Sequence, residues 1–289
     1  MQQITKNVFT ETTIRGCNPS ILFTDAGAVF IDTAQWITTL LEMIAFAKKR
    51  GPIKYLINTE GHIDHIFGNH WFAKECPVIG HERLNDMFWL VAGDVPCYEY
   101  SVDVLERQDP EGLKYMPSKE DYIVNRPQIT FSENMTLDLG SHKLHLFHTP
   151  GHCDAQLCVY SPEERTVFVG DTVFVDCQTW LHSANIKELL ASLAFIETLD
   201  FDYLVPGHGP VTGKEYIAKQ RAFIFEWIEA VRDGMNKGWD LDECIKRISF
   251  ADRCPVDIGQ DEMMDYIQEK NVIKCYNYIL DQKKADFGA

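Results

Sequence analysis

An αββα sandwich, two stacked sheets faced by helices, is the fold class this 289-residue sequence predicts. Three observations carry it. Short apolar strands alternate with helical segments, without repeats or low complexity, as layered sheet-and-helix folds require. The strands that close on histidine or aspartate each stop at a small-residue turn, which places one edge of the sheets where a site is built. From residue 213 onward the pattern becomes helical only. In chain order, Ile21-Leu22-Phe23-Thr24 and Ala28-Val29-Phe30-Ile31 predict a strand pair around the turn signal Asp25-Ala26-Gly27. Trp36 to Lys49 reads as a helix, with Ile37, Leu40, Leu41 and Ile44 at helical spacing and Gly51-Pro52 closing it. Ile53 to Asn58 is a buried strand. Ile66 to Ala73 predicts a helix with Trp71 and Phe72 against the sheet. Residues 129–147 read as a meander of three short strands, broken at Ser132-Glu133-Asn134 and Gly140-Ser141. Thr166-Val167-Phe168-Val169 and Asp202-Tyr203-Leu204-Val205 are further buried strands.

The chemistry concentrates where these strands end. Thr59-Glu60-Gly61-His62-Ile63-Asp64-His65 comes directly after the strand at 53–58 and holds two carboxylates and two histidines. Alternating residues of an extended segment point the same way, so Glu60, His62 and Asp64 can converge while His65 follows from the turn. Imidazole and carboxylate are the ligands of hard and borderline divalent metals. His152 lies on the Pro150-Gly151 turn after the alternating run Lys143 to Phe147. Asp171 comes after the strand 166–169, and His208 stands between Gly207 and Gly209 after the strand 202–205. A polar surface loop that happens to hold histidines explains the first segment far less well than a metal site, and does not explain the other three.

The order and spacing of these segments resemble the metallo-β-lactamase superfamily: its histidine-rich first motif, then TPGH (Thr149 to His152), GD (Gly170-Asp171) and PGHG (Pro206 to Gly209). The resemblance covers roughly residues 5 to 212. It includes Phe30-Ile31-Asp32-Thr33, an early strand ending in aspartate, and a helix at Leu189 to Leu199. It implies a four-layer αββα domain over residues 1–212 and a helical extension over 213–289. It also implies that His62, His152 and the position of Glu60 hold one metal, that Asp64, His65 and His208 hold a second, and that Asp171 bridges them. The usual first motif is H-x-H-x-D-H, and this chain has Glu60 where the first histidine belongs. Three carboxylates and four imidazoles match in count, though not in order, the non-haem di-iron site of flavodiiron proteins. The cofactor expected is two divalent metal ions, zinc first, with iron or manganese as the alternatives because oxygen-rich sites favour them.

Lys+Arg 27 against Asp+Glu 43 gives a net charge of −16, which speaks against a nucleic-acid groove and the nuclease branches of that superfamily. The absence of a bilayer-length apolar run, and of a signal-peptide core in Met1 to Lys6, predicts a cytoplasmic protein without a membrane partner. Nine scattered cysteines with no CxxC pair predict reduced thiols, and Cys153 and Cys177 read as packing residues near the site.

Two segments fall outside the sandwich. Residues 92–127 mix acids, Tyr98, Tyr100, Tyr115 and Tyr122 with Pro96, Pro110 and Pro117, and read as an irregular lid over the metals, or else as packing on a neighbouring subunit. Residues 213–289 read as a helical cap on the substrate pocket, with Ile217, Ile224, Ile228 and Val231 at helical spacing, or as a homodimer surface. His182, Trp180, Tyr98 and Tyr100 are the candidate substrate contacts. Asp32 is a candidate to orient the metal loop; His70, His81, His142 and His145 carry no ligand-like context, and His148 is at best a neighbour of the site. The favoured function is hydrolysis of a small-molecule ester, thioester or lactone by a water activated between two metals, with Asp64 and Asp171 catalytic. Two other classes compete. One is a di-iron protein acting on or sensing dioxygen or nitric oxide, which would need a separate electron donor. The other is a metal-binding sensor without turnover.

Overall fold

The computed structural model describes residues 1–87 and 97–287. Seven strands form the first sheet in sequence order: β1 (Gln2–Gln3), β2 (Val8–Thr10), β3 (Ser20–Thr24), β4 (Gly27–Ile31), β5 (Ile53–Ile57), β6 (Val78–His81) and β7 (Ile129–Phe131). Pairing is antiparallel from β1 to β4 and parallel from β4 to β7. Five strands form the second sheet, in the order β12-β11-β10-β9-β8: β8 (Asn134–Asp138), β9 (Lys143–His148), β10 (Leu157–Ser161), β11 (Thr166–Phe168) and β12 (Tyr203–Val205). Only the β11–β12 pair in that sheet is parallel.

The two-residue period of each strand sorts its side chains between layers. Val29, Ile31 and Ile57 of the first sheet meet Leu144, Leu146, Leu157, Val159, Phe168 and Val205 of the second in the central core. The alternate residues Ala28, Phe30 and Leu56 face outward onto α1 (Ile37–Lys48), where Leu40, Met43 and Ile44 cover them. On the far side Cys158, Val167, Val169 and Leu204 face α6 (Ile186–Thr198) and the helices beyond it. The protein is therefore the four-layer αββα sandwich its sequence predicts, with C-terminal helices added.

Those helices are α7 (Tyr216–Asn236), α8 (Leu241–Arg247) and α9 (Met264–Phe287). Ile217, Ile224, Trp227, Ile228 and Val231 of α7, Cys244 of α8, and Val272, Cys275 and Ile279 of α9 belong to the same apolar cluster as α6 and the second sheet. The helical segment shares its core with the sandwich instead of forming a separate one. No helix among the described residues is long and apolar enough to cross a membrane.

Three elements differ from the sequence reading. The stretch 129–147 is not a meander: β7 pairs with β6 in the first sheet, while β8 and β9 pair in the second. A three-residue break serves equally for a hairpin and for a step between stacked sheets, and both partners offer the same apolar alternation. The helix expected at 66–73 is a short α2 (Ile63–Ile66) that continues as a 3₁₀ turn, Phe67–Phe72. Residues 92–96 of the expected lid, with Pro96, lie outside the described residues. Of the remainder, the stretch up to residue 113 is helical, not irregular, while residues 114–127 carry neither helix nor strand, as the sequence reading expects. After a short α3 (Leu84–Met87), the chain forms α4 (Cys97–Gln108) and α5 (Pro110–Leu113). Ser101, Val104 and Leu105 form the buried stripe of α4, too narrow to stand out among Asp103, Glu106 and Arg107. Pro110 sits in the first turn of α5, where a missing N–H costs nothing. Asp109 accepts from Gly112 N and also from Thr38 N and Oγ1, tying the insertion to the start of α1.

Candidate metal centre

β4 and β5 end side by side, and Asp32 ties together the two loops that leave them. Its carboxylate accepts from Thr59 N at 2.7 Å and Thr59 Oγ1 at 2.6 Å, and lies 2.9 Å from His65 Nδ1. Asp32 adopts φ 57°, a left-handed conformation that aspartate tolerates better than most residues. With Nδ1–H donating to Asp32, the Nε2 of His65 is free to face the interior. This is the orienting role the sequence suggested for Asp32, and the same device recurs. His152 Nδ1 lies 3.1 Å from Trp180 O, and His208 Nδ1 lies 2.9 Å from Asp257 Oδ2. Phe174 stacks on the His208 ring at 5.3 Å and 4°. Three imidazoles are thus held by one edge with the other aimed inward.

Those inward edges form two adjoining clusters. In the first, His62 Nδ1 contacts Glu60 Oε2 and lies 3.2 Å from His152 Nε2, which is 3.5 Å from Asp171 Oδ2. In the second, His208 Nε2 lies 3.4 Å from Asp64 Oδ2 and 3.3 Å from Asp171 Oδ1, and His65 Nε2 lies 3.2 Å from Asp171 Oδ1. The Asp171 carboxylate therefore presents one oxygen to each cluster. Glu60 Oε1 reaches toward the second as well, 3.3 Å from His65 Nε2. All seven residues singled out from the sequence as ligands come together, drawn from four separate loops.

The donor set fits a metal pair. Glu60 Oε1, His65 Nε2 and Asp171 Oδ1 are buried without a hydrogen-bond partner, an arrangement that costs free energy unless something binds there. Donor atoms bonded to one ion at about 2.0–2.2 Å lie roughly 3–3.6 Å from one another, and most pairs here have that spacing. His152–Glu60 at 3.8 Å and His65–Asp64 at 4.0 Å are wider, and His62–Glu60 is closer. Burial alone would raise Asp171, yet the His208 and His65 imidazoles hold it well below the usual carboxylate range. Burial alone would lower His65 and His208, yet Glu60 beside the first and Asp171 beside the second hold both well above the usual imidazole range. Without cations, protons on imidazole balance the buried carboxylates; a metal pair would take that place.

The last turn must pass directly over Asp171. A Cβ on Gly207 would lie 1.9 Å from Asp171 Oδ1, so only glycine fits there.

A cavity of about 320 Å³ opens onto the clusters. Trp180, His182 and Tyr100 line it, as do His62, Asp64, His152, Asp171 and His208. Burial, then the neighbouring His152 and His62, push His182 down to about 3, so it faces the cavity as a neutral ring. Tyr98 is turned elsewhere, its hydroxyl donating to Pro117 O at 2.6 Å, and it is not among the lining residues. Cys153 Sγ stands 3.8 Å from Glu60 Oε2, buried and protonated, its thiol pushed well up by burial. Among the remaining histidines, His142 pairs with Glu164 at 2.7 Å and His81 stacks on His148 at 3.8 Å, and none of the three belongs to either donor cluster.

Sequence reasoning did not find Asp257, Arg15, Gln35, Gln260, Met263 or Tyr266. Asp257 orients His208, and the other five line the cavity. Arg15 lies in the stretch before β3, Gln35 just before α1 and two residues after Thr33, Asp257, Gln260 and Met263 between α8 and α9, and Tyr266 in the first turn of α9. The one available signal was an aspartate in a stretch without helical periodicity. Replacing Asp257 with asparagine is expected to lower metal affinity at the Asp64/His65/His208 position by about 10–100-fold, as loss of such partners typically does. A chelator-competition titration that finds both affinities unchanged would rule out the orienting role.

Comparison with known proteins bears on the family and the fold. Residues 12–208 match the metallo-beta-lactamase superfamily. The Caenorhabditis elegans beta-lactamase-like protein 2 homolog is 26% identical over 202 residues, 70% of this chain and 59% of that one. The linear primary-alkylsulfatase of a Pseudomonas species is 22% identical over 254 residues, 78% of this chain and 48% of that one. The chain thus spans about half to three-fifths of these relatives' length. Among solved structures, a metallo-beta-lactamase family protein of Thermus thermophilus superposes with a TM-score of 0.68 at 16% identity, covering 97% of this chain and 95% of that one.

Proposed function

We propose that this chain, which belongs to the metallo-β-lactamase superfamily, is a metal-dependent hydrolase of a carboxylic ester, thioester or lactone. The observation that carries the reading is the Asp171 carboxylate, with Oδ2 3.5 Å from His152 in the cluster of Glu60, His62 and His152, and Oδ1 3.2 Å from His65 and 3.3 Å from His208 in the other. A carboxylate shared in this way suits two metals roughly 3.5–4 Å apart. Such a pair supplies a water that loses its proton near neutral pH and a Lewis acid for the substrate carbonyl.

The chain's own residues do the rest. Asp32, Trp180 O and Asp257 hold three imidazoles in register, so the donor atoms need not reorganise when charge develops. Asp64 and Asp171 are the carboxylates on the cavity wall. Asp64, the more exposed of the two and held, against burial, below the usual carboxylate range by His65 and His208, steers the attacking water. The proton of that water leaves to solvent, while solvent protonates the departing oxygen or sulfur as the acyl bond breaks. Trp180, Met263 and Tyr266 offer an apolar wall for the acyl or leaving group. The α7–α9 segment therefore closes the pocket as a cap, with α4 contributing Tyr100 from the other side.

Stripping divalent ions with a strong chelator is expected to abolish ester hydrolysis and to lower Tm by several degrees. At a metal concentration of about 100 times Kd, binding contributes about 2.7 kcal/mol. Activity that survives complete metal removal would overturn the proposal. The alkylsulfatase relative makes a sulfate ester the competing substrate, and a panel of carboxylic esters, thioesters, lactones and alkyl sulfates decides between them. Glu60 favours a second reading, a di-iron redox site, because it adds a hard anionic oxygen where an imidazole is usual. Metal analysis with an ultraviolet–visible spectrum of protein purified under low oxygen separates the two: colourless zinc or manganese supports hydrolysis, and an oxo-bridged iron band supports redox chemistry.

A further inference from the structure

The cavity wall holds one cation that the metal chemistry does not use. Among the described residues, Arg15 is the only arginine or lysine lining the cavity, and it is 2% exposed. Its Nη1 donates to Gly259 O and its Nη2 to Tyr100 Oη at 2.8 Å, while its Nε is buried without a partner. A buried charge is costly unless it is paired and hydrogen-bonded. Among the described residues, the one carboxylate within 4 Å is Glu262, 3.7 Å from Nη1, 53% exposed and also 3.9 Å from Arg107. That solvated, shared carboxylate compensates a buried guanidinium poorly. The backbone beside Arg15 passes close to Asp64, since a Cβ on Gly16 would lie 3.0 Å from Asp64 Cβ, and Arg15 lines the same cavity as the donor clusters. Gln35 and Gln260, both nearly buried, line the same wall and add neutral hydrogen-bonding groups.

We propose that Arg15 is the docking point for an oxyanion carried by the substrate itself, so that the preferred ester or thioester bears a carboxylate or phosphate a few bonds from its scissile carbonyl. The proposal rests on the hydrolytic reading for its substrate class. A planar fork with unused N–H groups matches a carboxylate or phosphate edge. The site is also selective in a protein of net charge −16, whose overall field repels anions, since only a ligand that reaches Arg15 recovers the cost of approach.

The test uses metal-loaded protein and two readouts. Binding is measured calorimetrically for glutarate, 4-phosphonobutyrate and butyrate, which share one carboxylate and differ in the second group. Wild-type protein is expected to bind a two-headed ligand about 10–100-fold more tightly than butyrate, the range of a charge-assisted hydrogen-bonded contact. In Arg15→Gln that preference should collapse toward unity, and Arg15→Lys should restore only part of it. The tighter of glutarate and 4-phosphonobutyrate identifies which oxyanion the site takes. Hydrolysis of mono-4-nitrophenyl glutarate against 4-nitrophenyl butyrate is expected to show the same preference in kcat/KM and the same collapse. Equal binding of butyrate and the two-headed ligands by wild-type protein, or an undiminished preference in Arg15→Gln, overturns the proposal. If Arg15→Gln does not fold, the wild-type comparison and Arg15→Lys decide it. Binding preference without any turnover would defeat the hydrolytic reading and leave the anion site standing; turnover without preference would do the reverse.

Discussion

Asp171→Ala is expected to lose most of one metal equivalent and about three orders of magnitude in kcat while the protein stays folded. The carboxylate faces both clusters, so its removal takes a donor from each and leaves His65 and His208 opposite a void. Metal-ion catalysis supplies several kcal/mol of transition-state stabilisation, and each 1.36 kcal/mol is tenfold in rate. The fold should persist because Asp171 belongs to none of the apolar clusters and its truncation leaves more room beneath the Gly207 turn. Elemental analysis, turnover and a thermal melt on one preparation check all three statements. Two metals and near-normal turnover would defeat the dinuclear assignment.

The second large effect concerns Glu60. Its Oε2 belongs to the His62/His152 cluster, so Glu60→Ala should empty that position and leave the Asp64/His65/His208 position occupied. Glu60→His restores the usual donor set and should shift preference toward zinc, because imidazole replaces a hard anionic oxygen. Oε1 adds a consequence the sequence did not suggest. It faces His65 Nε2 at 3.3 Å, so the alanine variant should also weaken the second position, by less than it weakens the first. Competition titrations with zinc and manganese measure both shifts. Unchanged stoichiometry and selectivity in both variants would mean the carboxylate does not ligate, and the iron-like reading would lose its support. If Glu60 holds a redox-active iron pair, the histidine variant should lose oxygen-dependent activity and keep or gain hydrolysis.

By itself the sequence determined the layered fold and the identity of the seven clustered residues. Both rest on local signals: a period of two that assigns Val29 and Ile31 to one layer and Phe30 to the other, and turns such as Pro206 to Gly209 that stop a strand at a donor side chain. Such signals survive in one dimension because they depend on neighbours a few residues apart. Tertiary structure alone decided which sheet takes β7, that the 97–113 stretch is helical and docked on α1, and that Asp257 orients His208. It also decided that Tyr100 faces the cavity while Tyr98 turns to Pro117, and that Arg15 is buried in the wall of that cavity. Each of these depends on a contact between residues distant in the chain, whose free energy comes from burial and hydrogen bonding that no local periodicity encodes.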